Sequence, residues 1–153
     1  MLELNLPPCD LKISEEGDRI TVLDRIRSKY VAFTPEENVR LHFVNYLTNY
    51  LHYPSTQIMN EVTLNLNGLT RRCDTVIFGS RQQPLVIAEY KSPKIAIGKA
   101  VFEQVVRYNI VLRVKYLIVS NGLKHYCTEV DYDTGKFNFL TEIPDYDDIK
   151  NKG

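Results

Sequence analysis

Residues 85–91 are Leu-Val-Ile-Ala-Glu-Tyr-Lys, an apolar run that ends in two charged residues. Four consecutive apolar residues predict a central strand that is covered on both faces. Because side chains alternate along a strand, Glu89 and Lys91 project from the same face. Burying charges without a partner is costly, so the end of this strand is a candidate functional site.

A third charged residue, Asp74, is predicted to reach the same place from the preceding strand. The loop 80–83 favours a hairpin in which Gly79 pairs with Pro84. The same register places Asp74 opposite Glu89. Directly opposed side chains have Cβ atoms about 5 Å apart, so the two carboxylates would meet.

Two facing carboxylates repel each other unless a cation lies between them. Mg²⁺ is a hard cation that uses one or two carboxylates together with waters and substrate phosphate. Lys91 can hold an attacking water or offset charge that builds up on a phosphate. The alternative is that Asp74, Glu89 and Lys91 are solvated surface residues or form a salt bridge.

The rest of the chain predicts a mixed sheet with helices packed on it, which is an α/β fold. Two short alternating runs around residues 15–18 predict an N-terminal β-hairpin, followed by a linker at 24–33. Asn67-Gly68 is a hairpin-turn signal. The other predicted elements are a helix from Pro35 to Leu51, strands at 57–65, 71–78, 85–91, 116–120, 126–130 and 137–140, a helix at about 97–112, and a loose acidic tail.

The first helix has a clear start and an ambiguous acidic pair. Thr34 is a good N-cap, Pro35 fits the first helical position, and Glu37 completes a capping box. Glu36 is spaced to point along the apolar stripe of the helix, and we favour it as a site carboxylate. The choice between Glu36 and Glu37 is close to even.

The second helix carries two polar residues in its predicted inward stripe, which consists of Val101, Gln104, Val105, Tyr108 and Leu112. Gln104 and Tyr108 are four residues apart and share a face. A buried Gln needs hydrogen-bond partners. Gln104 is therefore either a core residue satisfied by backbone groups or a brace for Lys91 or a phosphate.

The charge is balanced over the whole chain but segregated along it. The 19 basic and 19 acidic residues give a formal net charge of zero. Residues 71–124 nevertheless contain 10 basic and 3 acidic side chains. A basic middle segment between acidic flanks favours an anionic partner.

Several classes of protein are disfavoured by the sequence. Its apolar runs are far shorter than the roughly 20 residues that span a bilayer, and its start lacks a basic and apolar signal peptide, so we expect a cytoplasmic protein. Cys9, Cys73 and Cys127 have neither zinc-site nor disulfide spacing. The chain has no GxxxxGK[ST] phosphate loop, so we expect no ATP site and either a stand-alone domain or a fragment.

The ordered motifs resemble the PD-(D/E)xK nuclease superfamily, which has the restriction-endonuclease-like fold. They are most similar to the N-terminal nuclease domain of type I restriction enzyme R subunits. The resemblance covers about residues 34–130. The matching pieces are Pro35-Glu36-Glu37-x-Val39-Arg40, Glu61, Arg72-x-Asp74, Ile87-x-Glu89-Tyr90-Lys91, Gln104-x-x-x-Tyr108 and Ser120-Asn121-Gly122. Cys73 replaces the proline of the PD motif.

The resemblance implies a set of site residues. Asp74 and Glu89 would coordinate Mg²⁺ together with the main-chain carbonyl of Tyr90, and Mn²⁺ is expected to substitute. Lys91 would position or activate water, and Glu36 would complete the acidic cluster. Further residues would support the lysine, the ligands or the nucleic acid: Gln104, Tyr108, Arg72 and Glu61.

The resemblance also implies a reaction, an organisation and partners. The reaction is hydrolysis of DNA phosphodiester bonds by an endonuclease. The chain would be a single domain, with an N-terminal hairpin and linker (1–33), a nuclease-like core (34–130) and an acidic C-terminal segment (131–153). Expected partners are DNA and either a second copy of the chain or restriction-system subunits. The alternative function is a non-catalytic nucleic-acid-binding module or partner subunit on the same fold.

Overall fold

A six-stranded mixed sheet is the centre of the structure, a computed structural model that describes residues 3–153 apart from the side chain of Leu66. Met1 and Leu2 of the predicted segment 1–33 lie outside the described residues. In chain order the elements are β1 (Ile13–Glu16), β2 (Arg19–Asp24), β3 (Lys29–Ala32), α1 (Pro35–Tyr50), a 3-10 turn (Ser55–Gln57), β4 (Ile58–Leu66), β5 (Leu69–Phe78), β6 (Pro84–Tyr90), α2 (Lys99–Ile110), β7 (Tyr116–Ser120), β8 (His125–Asp131), β9 (Lys136–Leu140) and α3 (Tyr146–Ile149).

The strands of the main sheet follow each other in sequence order from β4 to β9. Neighbouring strands are antiparallel except β6 and β7, which are parallel and are connected through α2. Asn67 and Gly68 both have positive φ values, of 53° and 75°, as a tight primed hairpin turn between β4 and β5 requires. The predicted α/β fold with a mixed sheet and flanking helices is confirmed.

Next to Asp74 and Glu89, the register between β5 and β6 is the predicted one. Thr75 pairs with Ala88 and Ile77 pairs with Val86, so continuing the same register places Asp74 opposite Glu89. The predicted pairing of Gly79 with Pro84 is wrong. The register shifts after Ile77 so that Phe78 pairs with Pro84, which is the signature of a β-bulge.

The N-terminal region contains more structure than the predicted hairpin and linker. β1, β2 and β3 form a separate three-stranded antiparallel sheet, so part of the segment 24–33 is a strand. The turn into β3 is built by Asp24, whose Oδ1 accepts hydrogen bonds from the main-chain N–H groups of Ile26 and Arg27, at 2.9 and 3.2 Å. Local side-chain bonding of this kind stabilises a turn without a glycine.

The acidic tail is docked, so the prediction that it is loose is wrong. Tyr146 and Ile149 in α3 are buried in the same core as α1. The hydroxyl of Tyr146 donates to the carbonyl of Phe78 at 2.9 Å, and its ring lies 5.2 Å from that of Tyr53. The buried Tyr146 and Ile149 therefore anchor a segment that is otherwise acidic.

Each face of the main sheet is covered by one long helix. On one face, Val39, Phe43 and Leu47 of α1 pack against a core that includes Val86 and Ala88. On the other face, α2 contributes Phe102, Val105 and Val106 to a core that includes Val76, Ile87, Leu117 and Val119. Because Glu89 is two residues after Ile87, the alternation of β6 directs its side chain toward the α2 side.

Candidate active site

Asp74 and Glu89 meet where β5 and β6 lie side by side. Oδ2 of Asp74 accepts a hydrogen bond from the main-chain N–H of Tyr90 at 2.9 Å, which fixes this carboxylate against β6. The strand register places Glu89 of β6 directly opposite Asp74, where opposed Cβ atoms lie about 5 Å apart. The hydroxyl of Tyr90 donates to Thr75 at 2.9 Å in the core below. The structure therefore brings the predicted pair of carboxylates together.

Electrostatic repulsion disfavours ionisation of both carboxyl groups unless a cation lies between them. Burial of Glu89, together with the neighbouring carboxylate of Asp74, raises the pKa of Glu89 well above its usual range. The charge of Lys91 opposes this shift. Burial and the same two carboxylates raise the pKa of the neighbouring thiol of Cys73 to about 12. A hard ion such as Mg²⁺ prefers the carboxylate oxygens to this thiol.

The donor set fits a hard divalent ion. Oε1 of Glu89 is buried and has no hydrogen-bond partner among the described residues 3–153. Such an orphaned carboxylate oxygen is costly to bury unless a cation or water meets it. Two carboxylates and a carbonyl are oxygen ligands of the type that Mg²⁺ and Mn²⁺ accept. The residues that would hold the ion are Asp74, Glu89 and the main chain of Tyr90.

Arg40 joins helix α1 to the Asp74 end of the site. It is only 7% exposed, and its Nη1 donates to the main-chain carbonyl of Asp74 at 3.0 Å and to Glu61 at 2.9 Å. Its Nε and Nη2 donate to the two carboxylate oxygens of Glu37, at 2.6 and 3.1 Å. The buried guanidinium thus holds the backbone of a proposed ligand in place.

Arg40 belongs to a longer series of alternating charges, which we call the ion-pair chain. Arg27 bonds both Asp24 and Glu37, and Glu61 bonds both Arg40 and Arg72. Burial alone would raise the pKa of Glu61, but hydrogen bonds from Arg72 and Arg40 outweigh it and lower that pKa. The members of the ion-pair chain are Asp24, Arg27, Glu37, Arg40, Glu61 and Arg72.

The expectation that Glu36 points along the core stripe is wrong. Glu36 is exposed, whereas its neighbour Glu37 is 5% exposed and bound to two arginines. Only half of the capping box is present, since Thr34 accepts from the N–H of Glu37 but the Glu37 side chain is engaged with Arg27 and Arg40. The buried acidic residue of the first helix turn is therefore Glu37.

Two members of the predicted inward stripe of the second helix, Val105 and Leu112, are buried, but Gln104 and Tyr108 are exposed. The buried residues of α2 are Phe102, Val105, Val106 and Asn109. Gln104 is exposed and makes no hydrogen bond among the described residues, so it does not brace Lys91 here. Tyr108 is 48% exposed and packs against Arg71 instead of pointing into the core.

The segment Ser120-Asn121-Gly122 contacts the residues that follow β6, from Lys91 to Ile95. The carbonyl of Ser120 accepts from the main-chain N–H of Lys91 at 2.9 Å. The Asn121 side chain donates to the carbonyl of Ile95 at 2.8 Å and accepts from two amides of its own loop. This loop therefore fixes where Lys91 leaves β6.

The sequence pattern does not single out Arg40 and Glu37 as site residues. In it, Arg40 is one position of a longer motif and Glu37 completes a capping box. The signal that could have found them is their spacing, because oppositely charged residues three apart on a helix are neighbours. The buried position of both follows from their distance to Val44 and Leu47, which lie on the same helix face.

The α/β fold of this chain is similar to that of a solved protein fragment. The fragment structure of a putative HsdR subunit of a type I restriction enzyme from Vibrio vulnificus YJ016 has a similar fold, with a TM-score of 0.53 and 21% identity. The match covers 75% of this chain and 24% of that chain, so the present chain corresponds to a minor part of that fragment.

A sequence match over most of the chain identifies its family. Residues 35–144 match the family model of the type I restriction enzyme R protein N terminus (HSDR_N), and the chain belongs to this family. None of the curated proteins matches the chain. Among the described residues, no helix is long and apolar enough to cross a membrane.

Proposed function

We propose that this domain is a divalent-metal-dependent DNA endonuclease of a restriction system, with Mg²⁺ as its cofactor and Mn²⁺ able to substitute. The observation that carries the proposal is the buried, unpartnered Oε1 of Glu89 beside Asp74, within the described residues 3–153. Membership in the R protein N-terminus family supports a restriction role. The proposed chemistry needs no nucleotide.

The proposed roles follow from where each group lies. Asp74 and Glu89 would hold the ion with the carbonyl of Tyr90, and the ion would polarise the scissile phosphate and lower the pKa of a bound water. Lys91, held at the end of β6 by Ser120, would orient the attacking water and offset charge on the phosphate. Arg40 would keep the Asp74 backbone in position.

Cleavage of supercoiled, linear and single-stranded DNA with Mg²⁺ or Mn²⁺ tests the proposal. The wild type should cut at least one of these forms, and EDTA should abolish cutting. Asp74→Asn and Lys91→Ala should each lower the rate about 100-fold or more while remaining folded. Glu36→Gln is the matched carboxylate control, because Glu36 is exposed, and its rate should stay within about twofold of wild type.

The alternative, a non-catalytic nucleic-acid-binding module, gives different results. It would bind DNA equally well in EDTA and in Mn²⁺, and Asp74→Asn would not change that binding. Absence of cleavage on every DNA form, together with metal-independent binding, would replace the nuclease proposal. Isothermal titration with Mn²⁺ separates the two before any DNA is added, because only the nuclease proposal requires an ion at Asp74 and Glu89.

A further inference from the structure

Arg71 is held by an aromatic ring and not by a carboxylate. Its guanidinium carbon lies 5.0 Å from the centre of the Tyr108 ring, on the helix that covers this side of the sheet. Among the described residues, the Arg71 side chain makes one hydrogen bond, from Nη1 to the carbonyl of Thr70 at 3.0 Å. Nε of Arg71 is buried and has no partner among residues 3–153.

The arginines of the ion-pair chain are neutralised, and Arg71 is not. Arg27, Arg40 and Arg72 each bond at least one carboxylate. No carboxylate lies within ion-pair distance of Arg71 in the part of the chain that the structure describes. A stack on tyrosine orients a guanidinium without cancelling its positive charge, so its remaining N–H groups can still bind an anion.

Arg71 lies on the same strand as Asp74, so a polyanion bound at the candidate active site could extend to it. Arg71 is three residues before Asp74 on β5, which is about 10 Å along an extended strand. The DNA backbone is a continuous row of phosphates. Because about 10 Å is too far for one phosphate to contact both residues, a phosphate at Arg71 would be a different one from the phosphate at Asp74.

We propose that Arg71, oriented by Tyr108, binds a non-scissile phosphate of the nucleic-acid backbone. This inference rests on the proposed function, since it takes the substrate to be DNA. It assigns Arg71 to binding and gives Tyr108 the role of a platform that holds the guanidinium. It also explains why a half-exposed tyrosine is covered by a charged side chain and not by an apolar one.

The test is the salt dependence of binding to a fluorescein-labelled duplex of about 20 base pairs, measured by anisotropy in Ca²⁺ between about 50 and 200 mM salt. Loss of one phosphate contact should lower the slope of log affinity against log salt by about 0.9. Arg71→Ala should show this change and about tenfold weaker binding at about 100 mM salt. Arg71→Gln, which keeps most of the side-chain length and a donor for Thr70, should show the same slope as Arg71→Ala.

Two further variants isolate the contact. Tyr108→Leu should weaken binding several-fold, and adding it to Arg71→Ala should cause no further loss, because the ring acts through Arg71. Arg81→Ala removes the same charge in the loop beyond the other end of β5, where Arg81 bonds the carbonyl of Asn151. The salt slope of Arg81→Ala should equal that of wild type. Arg81 lies beyond one end of β5 and Arg71 lies near the other, and this separation exceeds the Debye length of about 8 Å, over which charges are screened.

Equal slopes for wild type, Arg71→Ala and Arg71→Gln would overturn the inference, as would a wild type that does not bind the duplex. Additive losses from Arg71→Ala and Tyr108→Leu would overturn the role of the ring. A wild type that binds with the expected Arg71 slope but cuts no DNA would refute the proposed nuclease function and leave the phosphate contact standing.

Discussion

Arg40→Met is the most informative single change, because the three groups that Arg40 bonds depend on it in different ways. Methionine has similar length and fills much of the same volume. It removes the guanidinium that bonds Glu37, Glu61 and the carbonyl of Asp74. Glu61 keeps its bonds from the exposed Arg72, but the buried Glu37 retains only its bond from Arg27 among the described residues.

The expected cost follows from the charge that is left behind. Removing one partner of a buried ion pair costs about 3–5 kcal/mol, because the remaining charge stays desolvated. Glu37 is 5% exposed, so this estimate applies to it with little screening by solvent. For a domain of this size, about 4 kcal/mol corresponds to a decrease in Tm of about 10 °C.

Thermal and urea unfolding at neutral pH, followed by circular dichroism, measures this loss. The double variant Arg40→Met/Glu37→Gln should be more stable than Arg40→Met alone, because it removes the uncompensated carboxylate. Glu36→Gln in the same background is the matched control and should restore nothing. A loss below about 1 kcal/mol for Arg40→Met, or no recovery in the double variant, would refute the account of Arg40 as a buried charge partner.

Three further predictions concern the pH response, the tail and a loop. In EDTA, the free energy of unfolding should fall as the pH rises from about 5 to 9, because folded Glu89 keeps a proton that the unfolded chain, with its ordinary pKa of 4.5, has released. Glu89→Gln should flatten this dependence in urea titrations across the same pH range. Tyr146→Ala should cost about 3–4 kcal/mol in urea unfolding, since Tyr146 is 4% exposed and anchors the C-terminal segment. Gly122→Ala should cost more than about 1 kcal/mol by the same measurement, because φ is 85° and a Cβ would lie 2.8 Å from Leu4.

Each of these three predictions has a control in the same chain. A pH dependence that Glu89→Gln leaves intact would assign the effect to other groups. Tyr50, which is 53% exposed, should lose less than about 1 kcal/mol on replacement by alanine, and an equally small loss at Tyr146 would contradict the anchoring role. Gly17 also has positive φ, but a Cβ added there would meet nothing within 4 Å, so Gly17→Ala measures the backbone strain without the clash at Gly122.

The sequence predicted the sheet well because strand signals are local and redundant. The Asn67-Gly68 turn predicts the β4–β5 hairpin, the loop 80–83 predicts the β5–β6 hairpin, and the apolar run 85–88 predicts that β6 is central. The predicted register places Asp74 opposite Glu89, as the structure does, although the predicted Gly79–Pro84 pair does not form. A bulge after Ile77 shifts the pairing, so that Phe78 pairs with Pro84. A bulge of this kind depends on tertiary packing and leaves no clear mark in composition.

The helix faces were harder to predict, because an error of one residue rotates a helix by about 100°. The spacing i, i+3, i+4, i+7 fits α2 equally well from Val101, which gives Gln104 and Tyr108, or from Phe102, which gives Val106 and Asn109. The second choice is correct because it buries the largest apolar side chain. The same ambiguity separated Glu36 from Glu37 on α1, and only the arginine partners of Glu37 resolve it.

The ion-pair chain has a consequence for how this domain can change over evolutionary time. Its six charges sum to zero, and each interior member serves two neighbours. A single neutral substitution among the buried members leaves one charge without its counterpart, so tolerated changes should occur as pairs that remove or exchange adjacent partners. Aligned relatives should therefore show covariation among these positions, from the N-terminal sheet through α1 to the strand of Asp74. The N-terminal sheet and the candidate active site would then evolve together.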